Sequence, residues 1–188
     1  MFLKEAKEFN EKTAILTAES DKKGVFTFEK VPLGEWVIHE LKPAEGYLTN
    51  EEQYPVTITE KEEVVEIKVF NDRIPKIKTT ATIQGKKKAV ATKTIALKDK
   101  VSYKHLIQGK EYVLKGILMD KKTGKPLLIN GKKVQSETAF KPKHAKGNVT
   151  VTFTFEGTNI TKDTDIVVFE TLYCDGIELT AHADIKDQ

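Results

Sequence analysis

The sequence predicts an all-β protein made of two β-sandwich domains in tandem. Short segments that alternate apolar and polar residues recur along the chain, turn-forming residues separate them, and few stretches show helical periodicity. From Val149 to Phe155, threonines alternate with valine and phenylalanine, which is typical of a strand with one polar face. Many short strands separated by turns favour a sandwich.

In the first half, strands are predicted at residues 25–28, 35–39, 54–58 and 64–69, where β-branched and aromatic residues run or alternate. Turn signals fall between them, at Pro32-Leu-Gly34, Pro43-Ala-Glu-Gly46 and Asn71-Asp72. Residues 4–12 are strongly charged and fit either a helical turn or a loop.

In the second half, strands are predicted at residues 79–83, 93–97, 111–118, 149–155 and 165–170. The pair Asn130-Gly131 is typical of a type I′ hairpin turn, which needs a positive φ at both central residues. Turns are also expected at Lys122-Thr-Gly124 and Cys174-Asp-Gly176.

Charge divides the chain near Arg73-Ile74-Pro75. Residues 1–73 carry 10 basic and 16 acidic side chains, whereas residues 74–188 carry 21 and 12. We therefore expect one domain over residues 1–73 and another over residues 74–188. The basic half could indicate nucleic-acid binding, but its lysines are dispersed and lack interleaved aromatics or a helix to present them. We expect a solvated lysine-rich surface and no nucleic-acid partner.

Composition bounds the class of protein further. Hydrophobic residues make up 39% and charged residues 31% of the chain, and no apolar run approaches the roughly 18 residues that span a bilayer. No signal peptide opens the sequence, so a secreted protein would contain this chain as part of a longer precursor. The lone Cys174 excludes an internal disulfide; it is expected to be a small hydrophobic residue, the alternative being a catalytic thiol.

The run from Phe26 to Tyr47, with Val31-Pro-Leu-Gly-Glu-Trp36 and Glu40-Leu-Lys-Pro-Ala-Glu-Gly-Tyr47, resembles the SpaA-type, CnaB-like domain of Gram-positive pilins and adhesins. The resemblance covers roughly residues 2–73 and implies an Ig-like, CnaB-like sandwich. In cross-linking members, a first-strand lysine attacks a last-strand asparagine while a buried glutamate shuttles protons. Glu40 and Asn71 match the glutamate and the asparagine.

The lysine of that cross-link has no match. The family lysine precedes the position of Phe2 by about a dozen residues, and Lys4 and Lys7 are out of register. The first strand of the domain is therefore expected to be missing. The plainer interpretation makes Glu40 a rim carboxylate paired with a lysine, and Asn71 a turn residue.

Residues 75–188 resemble the VaFE-repeat, ester-bond-forming domains of Gram-positive surface proteins. The opening strand from Pro75 to Thr82, the Lys98-to-Tyr103 strand, Val167-Val-Phe-Glu170 and the ending His182-x-Asp-x-x-Asp187 carry this resemblance. It implies a Thr79 nucleophile, a buried acid pair of Asp99 and Glu170, and His182 as the base; Asp184 and Asp187 support the site. A hydroxyl needs a positioned base, and an amide acceptor needs a proton donor.

Alternatives to these roles stay open in the sequence. Thr80 could be the nucleophile, since a shift of one residue moves a side chain to the other face of a strand. Asp99 could be a turn residue, and Glu170 and His182 could form a simple hydrogen-bonded pair. The acceptor glutamine of the family pattern would fall two residues beyond Gln188, so the last strand is expected to be truncated and Gln188 not to be the acceptor.

These resemblances imply a structural shaft module of a cell-wall-anchored adhesin on a Gram-positive bacterium, with self-formed cross-links and no turnover of a free substrate. The expected partners are adjacent domains of the parent protein, without membrane contact. The alternative is a ligand-binding adhesin module that recognises host matrix protein or glycan. No cofactor is expected, and His39, His105, His144 and His182 lack the spacing of a zinc site.

Overall fold

A computed structural model describes residues 1–60, 64–158, 160 and 162–186. The chain divides into two compact units, Met1–Arg73 and Ile74–Gln188, with the division at the position where charge changes in the sequence. Within the described residues there are strands and turns but no helix, which confirms the all-β prediction. Accordingly, the described part of the chain offers no helix able to cross a bilayer.

The first unit contains one antiparallel sheet in the order β1-β2-β3. Its strands are β1 (Phe2–Leu3), β2 (Gly34–His39) and β3 (Gln53–Ile58). The core is small: Met1, Trp36 and Val56 are buried, and the Trp36 indole donates a hydrogen bond of 2.9 Å to the Pro32 carbonyl. Partly buried apolar side chains surround these three, namely Leu16, Phe28, Val31, Ile38, Ile58 and Ile67.

Two strands predicted for the first unit are wrong. Residues 25–28 and 64–69 form no strand in the structure. Side chains around residues 64–69 still alternate between the core and solvent. Ile67 packs on the core, whereas Val64 and the following Phe70 are 84% and 79% exposed. A strand also needs a hydrogen-bonded neighbour, which a one-dimensional pattern does not supply. Residues 4–12 form turns, so the loop interpretation is the correct one.

The second unit is a sandwich of two antiparallel sheets with a short accessory hairpin. One sheet has the order β11-β5-β4; the other has the order β10-β6-β12-β13, with β7 paired to β6. The strands are β4 (Lys76–Ile83), β5 (Thr94–Lys104), β6 (Tyr112–Asp120), β7 (Lys125–Pro126), β8 (Leu128–Ile129), β9 (Lys132–Lys133), β10 (Gln135–Phe140), β11 (Gly147–Glu156), β12 (Ile166–Cys174) and β13 (Ile177–His182).

The hairpin between β8 and β9 turns at Asn130-Gly131, whose φ angles are 52° and 75°. Positive φ at both positions is what a type I′ turn requires, as the sequence predicted.

The inward faces of the two sheets form one core. In β5, exposed and buried residues alternate strictly along its 11 residues. Leu97 and Val101 of that strand meet Leu114, Val168 and Leu172 of the opposite sheet. Cys174 is buried in the same cluster, as expected of a small hydrophobic residue.

Candidate functional site

Thr79 and Asp99 are neighbours on the inner face of the smaller sheet. β4 is an edge strand paired with β5. Asp99 of β5 lies directly opposite Ala81 of β4, and Ala81 is two residues after Thr79 on the same strand. Because side chains two residues apart share a face, Thr79 and Asp99 point to the same side. Thr79 is half-buried, whereas Thr80 is exposed and donates a hydrogen bond to the Thr79 carbonyl. The threonine that faces the core is therefore Thr79.

The Thr79 hydroxyl donates a hydrogen bond to Oδ2 of Asp99. The Asp99 side chain is 0% exposed. Its position in the middle of β5 excludes the alternative that it is a turn residue. The strand predicted at residues 93–97 in fact continues to Lys104, which places this carboxylate inside the sandwich.

Glu170 approaches Asp99 from the opposite sheet of the sandwich. It lies on β12 and is 0% exposed. The pKa of the Glu170 carboxyl is raised to about 9, chiefly by burial and additionally by the neighbouring Asp99 carboxyl. At neutral pH, Glu170 therefore carries a proton.

The Asp99 and Glu170 carboxyls lie close together inside the sandwich, and the charge of Asp99 is one cause of the raised pKa of Glu170. Asp99 Oδ1 and both Glu170 carboxyl oxygens are buried and accept no hydrogen bond from a donor among the described residues. Unpaired buried carboxylates are costly, and two adjacent ones cannot both ionise. The proton that the raised pKa keeps on Glu170 at neutral pH avoids a second buried negative charge at this place. Asp99 Oδ2 accepts the hydrogen bond from Thr79.

Gly116 is a feature of the site that the sequence analysis missed. It lies on β6, directly opposite Glu170 in the ladder. A Cβ at this position would lie 2.5 Å from Cζ of Phe153 and 2.8 Å from Oε1 of Glu170. The glycine thus makes room for the Glu170 carboxyl. A glycine inside a predicted strand is the signal that could have indicated this close approach.

His182 lies next to Glu170 at the end of β13. The ladder pairs Glu170 with His182 directly, so both side chains are on the same face of the sheet, and His182 is half-buried. Because β4 also contacts β12 and β13, the structure brings Thr79, Asp99, Glu170 and His182 to one edge of the sandwich. In the structure the hydroxyl of Thr79 donates to Asp99, so the role of His182 as the base stays a prediction.

The supporting aspartates lie farther along the chain. Asp184 is exposed and accepts a hydrogen bond of 2.8 Å from the Lys186 amide, as in a turn. Asp187 and Gln188 lie outside the described residues, so their predicted parts in the site are not described by the structure.

In the first unit, Glu40 and Asn71 meet. The Asn71 amide nitrogen lies 2.8 Å and 2.7 Å from the two Glu40 carboxyl oxygens and 3.1 Å from the Leu48 carbonyl. Glu40 also accepts a hydrogen bond of 2.8 Å from the Asn50 amide. The contacts described for Glu40 are thus to asparagines, against the alternative of a rim carboxylate paired with a lysine.

The lysines near β1 lie elsewhere on this unit. Lys4 forms an exposed ion pair of 2.6 Å with Glu35, and Lys7 is exposed. Glu40 and Asn71 are thus in hydrogen-bonding contact, and their part in a cross-link stays a prediction.

Within the described residues, no three His, Cys, Asp or Glu side chains come close enough together to hold a metal ion.

The second unit is thus a sandwich with a threonine, two buried carboxyls and a histidine at one edge. Residues 75–188 match the family described as T-Q ester bond containing domain, and the chain belongs to that family. Residues 3–73 match the prealbumin-like fold domain known as SpaA. Both resemblances drawn from the sequence are confirmed.

Solved structures give the same fold. The chain is similar to a bacterial adhesin from Mobiluncus mulieris described as containing intramolecular disulfide, isopeptide and ester bond cross-links. Two crystal forms of that adhesin each match at 17% identity with a TM-score of 0.52. The match covers 61% of this chain and 55% of the adhesin chain, so this chain spans about half of that relative. No curated protein sequence matches the chain.

Proposed function

We propose that this chain is a structural shaft module of an extracellular adhesin anchored to the cell wall of a Gram-positive bacterium, stabilised by a self-formed Thr–Gln ester in the parent protein. Membership of the T-Q ester bond family and the named cross-links of the adhesin with a similar fold support this proposal. The observation that carries it is the convergence of Thr79, Asp99 and Glu170 in one shielded site.

The ester forms in one turnover. The Thr79 oxygen attacks the side-chain carbonyl carbon of a glutamine, a C–O bond forms, and the C–N bond breaks. The hydroxyl proton passes to a base and leaves with the amide nitrogen as ammonia. Asp99 holds that hydroxyl in the structure, and His182 is the base that the resemblance implies.

Glu170 supplies the acid. Negative charge develops on the amide oxygen as the hydroxyl attacks, and a protonated carboxyl can donate a hydrogen bond to it. Burial keeps that proton in place at neutral pH, since the pKa of Glu170 is raised to about 9. Holding the reactants together contributes on the order of 7–11 kcal/mol in favourable cases. The result is self-modification and not catalysis on a free substrate.

A covalent tie between the first and last strands of the second unit would resist unfolding by force, heat or protease. This fits a module whose partners are the adjacent domains of one long surface protein.

Intact-mass measurement tests the proposal. In a version lengthened by two residues, with glutamine as the last, the mass should fall by one ammonia relative to the sequence. The same extension ending in leucine is the control. An unchanged mass in the glutamine version, folded as judged by circular dichroism, would refute ester formation at this site.

A second cross-link in the first unit has its own support in the contact between Asn71 and Glu40. There, a lysine amine would attack the Asn71 side-chain carbon, an amide would form, and ammonia would leave. Glu40 lies within reach of the amide nitrogen that departs. Peptide mapping of the parent protein, searching for a lysine joined to Asn71, tests this; an unmodified Asn71 in the folded parent would contradict it.

A further inference from the structure

The outer face of the β11-β5-β4 sheet is rich in lysine and threonine. Its exposed lysines are Lys76 and Lys78 on β4 and Lys98, Lys100 and Lys104 on β5. The hydroxyl side chains between and beside them are Thr80, Thr82, Ser102, Thr150, Thr152 and Thr154. We call the surface formed by these eleven side chains the lysine face.

The lysine face has little negative charge of its own. Glu156, at the end of β11, is the one carboxylate that the three strands direct to this side within the described residues. The ion pairs found among the described residues join other lysines. The face therefore presents five positive charges against one carboxylate.

Two lysines of the lysine face, Lys76 and Lys104, are cross-strand neighbours. These two residues lie directly opposite each other in the ladder between β4 and β5. Like charges at directly opposed positions destabilise a sheet, with Cβ atoms about 4.5–5.5 Å apart. Sheet stability does not account for this pair, whereas an anionic ligand between the two ammonium groups would.

An open depression marks this end of the face. It has a volume of about 600 Å³, with four lysines around an apolar floor that includes Ile77 and Tyr103. The lysines are Lys76, Lys78, Lys104 and Lys146, and Ser102 and Asn148 also line the depression. The Ser102 hydroxyl donates a hydrogen bond of 2.8 Å to the Asn148 side chain, which fixes two polar groups among the lysines. Cationic and hydroxyl donors in one depression match a group that carries several acceptor oxygens.

We propose that the lysine face binds a sulfated polysaccharide lying along β5. Lys98 to Lys104 spans about 20 Å at the rise of a strand, so an extended polymer could contact several lysines at once. The threonine and serine hydroxyls beside the lysines can hydrogen-bond to sulfate oxygens and sugar hydroxyls.

The same surface is poorly suited to other polyanions. Single-stranded nucleic acid is bound by aromatic stacking as well as charge, and the outward positions of the three strands carry no aromatic residue. The chain's one arginine, Arg73, lies outside these strands, so the face lacks the bidentate guanidinium contacts that read base edges. A lipid surface would favour exposed apolar side chains, and the lysine face has none.

The test uses the full chain and labelled heparin as the probe, with binding followed by fluorescence anisotropy over a range of NaCl concentrations. A face variant combines Lys78→Gln, Lys100→Gln and Lys104→Gln. A control variant of equal charge combines Lys122→Gln, Lys125→Gln and Lys132→Gln, three exposed lysines outside the lysine face.

The wild type should bind heparin with an affinity that falls steeply with salt, because each phosphate or sulfate contact releases counterions. The face variant should lose about tenfold or more in affinity and show a shallower salt dependence, while the control stays within about twofold. Chemically desulfated heparin should bind far more weakly to the wild type.

Three results would overturn the proposal. The first is no binding of heparin at low salt. The second is an equal loss in both variants, which would mean that net charge alone acts. The third is binding of duplex DNA as tight as that of heparin with the same sensitivity to the face variant, which would identify a different class of partner.

Discussion

The hydroxyl of Thr79 donates a hydrogen bond to the buried carboxylate of Asp99. This relationship ties the first strand of the second domain to the neighbouring strand at the point where Glu170 approaches from the other sheet. A hydroxyl that is hydrogen-bonded to a carboxylate is aligned for proton loss, and the raised pKa of Glu170 keeps a proton on the neighbouring carboxyl at neutral pH.

Thr79 is expected to be the oxygen that forms the ester. In the glutamine-extended chain, Thr79→Ala should abolish the loss of ammonia, whereas Thr79→Ser should retain it more slowly. Thr80→Ala is the matched control, since Thr80 is exposed on the opposite face of the same strand. Intact mass distinguishes them. Loss of the reaction in the Thr80 variant alone would reverse the assignment.

His182→Gln is expected to slow ester formation by about 10²-fold or more in the extended chain, because a positioned base contributes on this scale. The hydrogen bond between Thr79 and Asp99 does not depend on the imidazole, so the fold should persist. The time course of ammonia release measures the rate. An unchanged rate would show that Asp99 suffices as the base.

Glu170 should make the stability of the second domain depend on pH. Its pKa is raised from 4.5 to about 9, so the folded state binds the proton more tightly than the unfolded state. The free energy of unfolding should therefore fall as pH rises through this range, by about 1.4 kcal/mol per pH unit. In Glu170→Gln, which cannot ionise, this slope should largely disappear.

Urea denaturation followed by circular dichroism at several pH values measures that slope. Trp36, the chain's one tryptophan, is buried in the first domain and reports its unfolding separately. The tryptophan transition should be the same in wild type and variant. A variant that keeps the full slope would show that another group is responsible.

Gly116→Ala is expected to destabilise the second domain by about 1–3 kcal/mol, since the added methyl group meets Phe153 and the Glu170 carboxyl at short distance. It should also impair ester formation by displacing Glu170. Glu137→Ala, an exposed change on the neighbouring strand β10, should stay within about 0.5 kcal/mol. Thermal or urea unfolding compares the free energies of unfolding of the two variants. Equal stability would mean that Phe153 and Glu170 move aside for the added methyl group at little cost.

Asn71→Ala is expected to cost the first domain about 1–3 kcal/mol, because it removes the side-chain amide that contacts both oxygens of the half-buried Glu40 carboxyl and leaves only the Asn50 backbone amide as a donor among the described residues. Trp36 fluorescence during urea unfolding isolates this domain. Asp72→Ala is the control, as Asp72 is exposed and its hydrogen bond to Leu48 comes from the backbone. A similar small loss in both variants would argue that Glu40 is well solvated.

Much of the fold follows from periodicity and turn chemistry. The period of two from Val149 to Phe155 lies inside β11, and the Asn130-Gly131 turn closes a hairpin. The strand predictions that were wrong concern segments without a hydrogen-bonded partner strand. Residues 64–69, for example, alternate as a strand does but pair with no neighbouring strand. Periodicity predicted a strand at residues 93–97 and the family resemblance a strand from Lys98 to Tyr103, and pairing with β4 and β11 joins the two into the single strand β5.

The sequence by itself determined the all-β class, the family and the residue types able to form an ester, since these depend on local pattern and ordered motifs. The tertiary structure decided that Thr79 and not Thr80 faces inward, that Gly116 makes room for Glu170, and that the pKa of Glu170 is raised. A pKa depends on burial and on the charge of a neighbour from another sheet, and both arise only when distant strands pack together.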